Sequence, residues 1–321
     1  MTISEQFLML MKLTDSIYKL VVRYPFGMRE LNSYLIRGDH GYTVIDTGSY
    51  ANESIKIWEQ TISTGLLIEK VVVTHAHPDH LGLAKWFQEN HHIPIITSDL
   101  SYKEIQKRKN QQNDASEFVF FLQKQGGPLI SEKEVQKESF VYHFEPDEIF
   151  EKDHSIKIGN DTYETIWTPG HSPDHFCFYQ PLQKVMFIGD HVLAKISPII
   201  SVWSKEDENP LKNYFDSLET ISTYPTNLVL PGHGELIDNL YDRSKQLISN
   251  HNRRLRQVLE SVKDEWKTAR QVCHEIYGAL NEKVEIAPLL ATITRLIYLE
   301  SLGKMRSETR NGLVMYQANT N

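Results

Sequence analysis

A short apolar run, Lys70-Val71-Val72-Val73, stops abruptly in Thr74-His75-Ala76-His77-Pro78-Asp79-His80. Three imidazoles and a carboxylate within so few residues restrict the fold more than anything else in the chain. Along a strand, successive side chains point to opposite faces, so neighbours in such a run cannot converge there. A loop at the end of a strand lets them converge, and loops held by a rigid scaffold are where binding chemistry collects. The plain alternative, a solvated polar loop, leaves three further loops of the same kind unexplained.

Those three also follow apolar strands. Asp161 to Trp167 runs into Thr168-Pro169-Gly170-His171-Ser172, and Val185-Met186-Phe187-Ile188 into Gly189-Asp190-His191. Leu228-Val229-Leu230 runs into Pro231-Gly232-His233-Gly234. Each sets His or Asp just past the carboxyl end of a strand, where open α/β sheets build their sites. Gly and Pro beside each candidate ligand shape the turn and allow close backbone approach. A fifth strand, Tyr42 to Ile45, is stopped by Asp46-Thr47-Gly48. Tyr18 to Val22 and Ser33 to Ile36 read as early strands, and Ile93 to Thr97 as another after a helix over 81–90. Asn52 to Thr64 has helical spacing, with Ile55, Trp58 and Ile62 on one face. The first 240 residues therefore read as α/β.

Residues 100–150 differ. Tyr102 to Gln112 has the composition of a polar helix, and Glu117 to Lys124 carries Phe118, Phe120 and Phe121 before Gly126-Gly127-Pro128 breaks the chain. This is a helical insertion between strands, either a lid or pocket wall or simply a cover over the core. From about residue 243 the pattern turns helical. Ser244 to Val262 places Leu247, Ile248, Leu255, Val258 and Leu259 on one face, and Thr268 caps a short helix ending near Tyr277. Ile286 to Leu302 forms a third helix with Gly303 at its end. Met305 to Gln317 reads as a hairpin turning at Asn311-Gly312. Helices followed by a hairpin are the order of a winged-helix domain, so the expected division is 1–240 and 241–321.

Charge separates the same two parts. The 321 residues carry 34 Lys+Arg and 42 Asp+Glu, a net charge of −8. Residues 241–321 hold 13 basic and 9 acidic side chains, leaving 21 and 33 for residues 1–240. A net acidic chain disfavours a protein that coats nucleic acid. No stretch reaches the ~20 apolar residues of a membrane span. The run Phe7 to Met11 is short for a signal-peptide core. Cys177 and Cys273 make no disulfide framework, so a reducing cytoplasm is the expected setting.

Taken with their order, these loops resemble the metallo-β-lactamase-fold hydrolases, in the branch around glyoxalase II and the lactamase-β-like endoribonucleases. The resemblance spans about residues 15–240, including Asp46-Thr47-Gly48, and implies an αββα four-layer sandwich. It also implies that His75, His77 and His171 hold a first metal ion and that Asp79, His80 and His233 hold a second. Asp190 would bridge the two, and Asp46 would support the ligand loop. Five imidazoles and two carboxylates without a thiolate suit two Zn²⁺ per chain, with Mn²⁺ or Fe²⁺ as alternatives. His175 and His191 are candidates for contact with substrate or for support behind the ligands.

A binuclear hydrolase follows, in which a metal-bridging hydroxide attacks and Asp79 orients it or accepts its proton. The expected partner is a small-molecule ester or thioester, as for glyoxalase II. The alternative is a phosphodiesterase or endoribonuclease acting on RNA. The C-terminal domain supports it through Arg253, Arg254, Arg256, Lys304, Arg306 and Arg310, although Glu300 and Glu308 interrupt that patch. The same domain would equally serve as a homodimer interface. A mononuclear iron dioxygenase would use His75, His77 and His171 alone, and the presence of Asp79, His80 and His233 weighs against it. Related di-iron flavoproteins carry Glu where this chain has Pro78.

Overall fold

The computed structural model describes residues 10–110, 114–131, 139–202 and 209–319. Phe7 to Met9 of the N-terminal run, and Gln111 and Gln112 of the expected polar helix, lie outside them. Fifteen strands form three sheets among the described residues. The first sheet runs β1 (Leu10–Lys12), β2 (Ile17–Arg23), β3 (Glu30–Arg37), β4 (Tyr42–Ile45), β5 (Ile68–Val72), β6 (Ile95–Ser98) and β7 (Glu148–Phe150) in that order. Its first four strands are antiparallel, and from β4 onward neighbours are parallel. The second sheet has the order β12-β11-β10-β9-β8, from β8 (Ser155–Ile158), β9 (Asp161–Trp167), β10 (Phe176–Gln180), β11 (Val185–Gly189) and β12 (Leu228–Pro231).

Strand alternation assigns the layers. Tyr34, Ile36, Ile45, Val72 and Ile96 of the first sheet meet Phe176, Phe178, Val185, Phe187 and Leu230 of the second in one buried cluster. The residues between them in sequence face outward. Leu35, Val44, Val71 and Ile95 pack on Trp58 and Phe87, from helices α1 (Asn52–Ser63) and α3 (Ala84–His91). Cys177, Tyr179, Met186, Ile188 and Val229 pack on Leu211, Tyr214 and Leu218, from α6 (Pro210–Ser222). The period-two switch thus yields helix, sheet, sheet, helix in section.

Between β5 and α3 lies the four-residue helix α2 (Pro78–Leu81), with Pro78 in its first turn. The insertion after β6 holds α4 (Asp99–Asn110), α5 (Asp114–Lys124) and a 3₁₀ turn, Ser139–Tyr142. Its two helices serve different neighbours. Ile105 of α4 is buried with Val141 and Tyr142 against the first sheet's helical layer. Leu122 of α5 is instead buried with Leu289, Leu290 and Ile293, and Tyr316 Oη donates to Gln125 Oε1 at 3.1 Å.

The last part comprises α7 (Leu240–Ser261), β13 (Lys267–Thr268), α8 (Ala269–Tyr277), α9 (Glu282–Ser301), β14 (Met305–Arg310) and β15 (Leu313–Ala318). Strands β13, β15 and β14 form the third sheet. Thr268 and Gln271 close a reciprocal capping box on α8. Asn311 and Gly312 both have positive φ, 49° and 81°, which the tight β14–β15 turn requires. Cys177 and Cys273 are both free and buried. Among the described residues, no helix is long and apolar enough to cross a membrane.

Candidate metal centre

Strands β4, β5, β9, β11 and β12 end on one edge of the sandwich, and each delivers its loop there. Within the β5 loop, Asp46 from the end of β4 fixes the geometry. Its Oδ1 accepts from Thr74 N at 2.8 Å, and its Oδ2 accepts from Thr74 Oγ1 at 2.8 Å. His80 Nδ1 lies 2.7 Å from the same Oδ2. An ionised carboxylate only accepts, so His80 carries its proton on Nδ1 and turns a bare Nε2 toward the centre. Thr74 has one hydroxyl proton, already given to Asp46. It therefore accepts from His75 Nδ1 at 3.0 Å, which turns the His75 Nε2 lone pair toward the centre, 2.9 Å from His77 Nδ1.

Backbone carbonyls set the other two rings. His171 Nδ1 donates to Ile199 O at 2.8 Å, and His233 Nδ1 donates to Glu30 O at 2.5 Å. Both Nε2 atoms then face inward. Asp190 lies among them: its Oδ1 is 3.4 Å from His80 Nε2, and its Oδ2 is 3.6 Å from His171 Nε2 and 3.4 Å from His233 Nε2. Asp79 Oδ2 is 3.3 Å from His233 Nε2. Donor atoms of His75, His77 and His171 gather within 4.8 Å of one another, as do those of Asp79, His80 and His233. A third such group, His75, His80 and Asp190, joins them.

The donor set fits divalent cations. His80 Nε2, His171 Nε2, His233 Nε2 and Asp190 Oδ1 are buried and have no hydrogen-bond partner. Leaving such atoms unsatisfied costs about 1–3 kcal/mol each, yet here they are aimed at one another by bonds on the opposite side of each ring. That is the arrangement by which outer partners orient metal ligands. The bare Nε2 atoms belong to the neutral rings that would ligate a cation; without one, Asp190 draws protons onto His80 and His233 in its place. Burial works against charge on His80 and His233, but Asp190 outweighs it; His80 is raised well above the ordinary value and His233 to about 10. Burial alone would raise Asp79 and Asp190, but neighbouring histidines hold both below the usual carboxylate range. Burial and nearby rings push His75 and His77 down. Asp79, with 28% of its side chain exposed, and the partly exposed His77 form the open side.

His175 and His191 lie behind the centre, both fully buried. Asp190 N donates to His175 Nε2 at 3.1 Å. The proton of that ring is then on Nδ1, 2.8 Å from Thr168 Oγ1. His191 packs 5.1 Å from the Tyr214 ring, and burial lowers its pKa to about 3. Neither ring reaches the open side.

Several supporting residues were not singled out from sequence. Asp174 Oδ2 accepts from Ala76 N at 2.7 Å and from Ser101 Oγ at 2.8 Å. Tyr142 Oη donates to Ala76 O at 3.1 Å, so the residue between His75 and His77 is held at both its N–H and its C=O. From β3, Tyr34 Oη donates to Pro231 O at 2.7 Å, and Asn32 Nδ2 donates to Pro231 O at 3.0 Å and Gly234 O at 2.9 Å. Asp174 stands inside a loop whose histidines are conspicuous, and that proximity was the one available signal. For the others, the partner is a backbone carbonyl with no mark in the sequence.

Residues 28–233 match the family model of the metallo-beta-lactamase superfamily. The chain belongs to that superfamily, and is a metal-binding hydrolase. It is similar to the probable metallo-hydrolase YqjP of Bacillus subtilis (strain 168), 26% identical over 90% of this chain and 93% of that protein. It is also similar to an atrochrysone carboxyl ACP thioesterase of Passalora fulva, 25% identical over 94% of this chain and 80% of that one. Among solved structures, a beta-lactamase domain protein from Burkholderia ambifaria superposes with a TM-score of 0.86 at 26% identity, covering 97% and 93% of the two chains.

Proposed function

We propose that the chain is a binuclear metal-dependent hydrolase of small esters or thioesters. One observation carries this: two triads of ligand atoms, His75, His77, His171 and Asp79, His80, His233, flank a single carboxylate, Asp190, whose Oδ2 lies near both His171 and His233 and whose Oδ1 lies near His80, so that it reaches members of both triads. Two divalent cations held there, zinc by the nitrogen-rich donor set, would supply Lewis acidity and bring a water's pKa near neutrality. The protein's own contributions are separable. Asp46, Ile199 O and Glu30 O fix the tautomers that leave each Nε2 free. His175 holds the Asp190 backbone. Asp79, the acid on the open side, takes the proton of the attacking water.

The thioesterase name of the Passalora fulva relative supports the acyl substrate. The basic residues of the last part count less toward RNA, because Arg306 and Arg310 lie over the Trp266 ring and Arg254 over Tyr277. We read residues 241–321 as a winged-helix-like unit on the order of its elements, and the compartment as reducing on its two free thiols.

Metal content by elemental mass spectrometry, with turnover of a thioester, a lactone, bis-p-nitrophenyl phosphate and single-stranded RNA, tests the reading. About two zinc per chain with thioester or lactone turnover is expected. Cleavage of the phosphodiesters alone would move the assignment to the nuclease class. One iron per chain without hydrolysis would overturn it in favour of a dioxygenase.

A further inference from the structure

We propose that Arg108 anchors an oxyanion carried by the substrate away from its scissile carbonyl, so that the enzyme favours anionic over neutral acyl substrates. This rests on the ester or thioester reading above.

Helix α4 leaves the carboxyl end of β6, next to the strand that delivers His75 and His77. Its inner face is marked by the buried Ser101 and Ile105, and Arg108 follows at the same helical spacing. Two ties fix that face to the ligand loop. Ser101 Oγ donates to Asp174 Oδ2, which also accepts from Ala76 N. The Arg108 guanidinium carbon lies 5.6 Å from the centre of the Tyr142 ring, and Tyr142 Oη donates to Ala76 O. Arg108 thus stands beside the ring whose hydroxyl holds the carbonyl between His75 and His77.

Arg108 uses its Nε to hold Glu104 Oε1 at 2.6 Å. Glu104 is the one carboxylate paired with it among the described residues. A guanidinium has five N–H donors in a planar fork. With Nε engaged and the guanidinium carbon 5.6 Å from the centre of the Tyr142 ring, the side chain is held in place and offers its remaining donors to a planar oxyanion such as a carboxylate. The side chain is 27% exposed, enough to meet a ligand while remaining sheltered from full hydration.

The test compares kcat/KM for matched thioesters on the metal-loaded enzyme. Succinyl- and butyryl-N-acetylcysteamine differ by a carboxylate on the acyl side. Butyryl-4′-phosphopantetheine and butyryl-pantetheine differ by one phosphate on the leaving side. Wild type should favour the anionic member of one pair by about 10- to 100-fold, chiefly through KM. Arg108→Gln should erase that preference while keeping neutral turnover within about threefold, and Arg108→Lys should restore part of it. Equal turnover of both pairs by wild type, or an undiminished preference in Arg108→Gln, overturns the proposal. If no thioester is hydrolysed, the acyl reading itself fails. Arg108 is then judged by calorimetric titration with glutarate: about fivefold or more weaker binding in Arg108→Gln supports the anchor, and equal binding overturns it.

Discussion

A methyl group on Gly232 would lie 2.5 Å from Asp190 Oδ1 and 2.8 Å from His80 Cε1. The backbone there passes too close to the ligands for any side chain, and its demand is steric. Gly232→Ala is expected to lower metal affinity by about 10-fold or more while the far-ultraviolet spectrum stays native, as read by competition with a chromophoric chelator. Asp190→Ala removes the carboxylate shared by both triads. It should reduce hydrolysis by roughly 10³-fold or more without unfolding the chain, and full activity in that variant would refute the site. At this scale the sequence was informative because His and Asp stand in it openly. The tautomers were not legible, since they depend on Glu30 O and Ile199 O, which any residue supplies.

Among elements, legibility followed the loops. β11, buried along its whole length, was readable because it runs into Gly189-Asp190-His191, whereas β10, equally buried, ends in no such loop and lacks the alternation that identifies a strand. Helix α5 was read by its aromatic residues as part of an insertion, but not as a piece of the cluster that includes α9, because that packing joins residues far apart in sequence. The link from α4 to the ligand loop runs through Asp174. Asp174→Asn should cut kcat about 10-fold or more with KM little changed, because the loop loses its anchor while the outer pocket is kept. His251 of α7 is buried, with Nδ1 lacking a partner, because α7 packs that face onto Tyr214 and Phe215 of α6. Burial, then Arg295 of α9, lowers its pKa to about 3, while Ser197 Oγ lies 3.3 Å from Nε2. The unfolded imidazole takes a proton near its ordinary value of 6.5 and the folded one does not. Stability is therefore fully present above 6.5 and falls as pH drops toward 3. Between pH 7 and 5, the unfolding free energy of metal-free wild type, from urea titration, should fall by up to about 2 kcal/mol more than that of His251→Phe.

At the scale of the whole molecule, three buried clusters stack through the sandwich, and the metal centre lies where the edges of both sheets meet. The order of strands and loops made an α/β chain readable, and the four layers came through the resemblance those loops carry. The pairing of the sheets was not readable, because the contacts that align them, Asn32 and Tyr34 with the Pro231 loop, are single polar residues within apolar strands. Ligand binding to the folded state alone stabilises it by mass action, so exhaustive chelation should lower the melting temperature by roughly 5–10 °C, measured by calorimetry.

The histidine loop after β5 and the His233 loop after β12 belong to different sheets and lie roughly 150 residues apart along the chain, so a cation held by both behaves as a removable cross-link closing a long loop. Metal status then governs the seam between the sheets more than the interior of either. On chelation, hydrogen exchange should quicken first at Asn32 and around Gly232, whose backbone groups join across that seam, while the amides of β5 and β11 remain protected. The candidate metal centre is, in this sense, also the clasp of the fold.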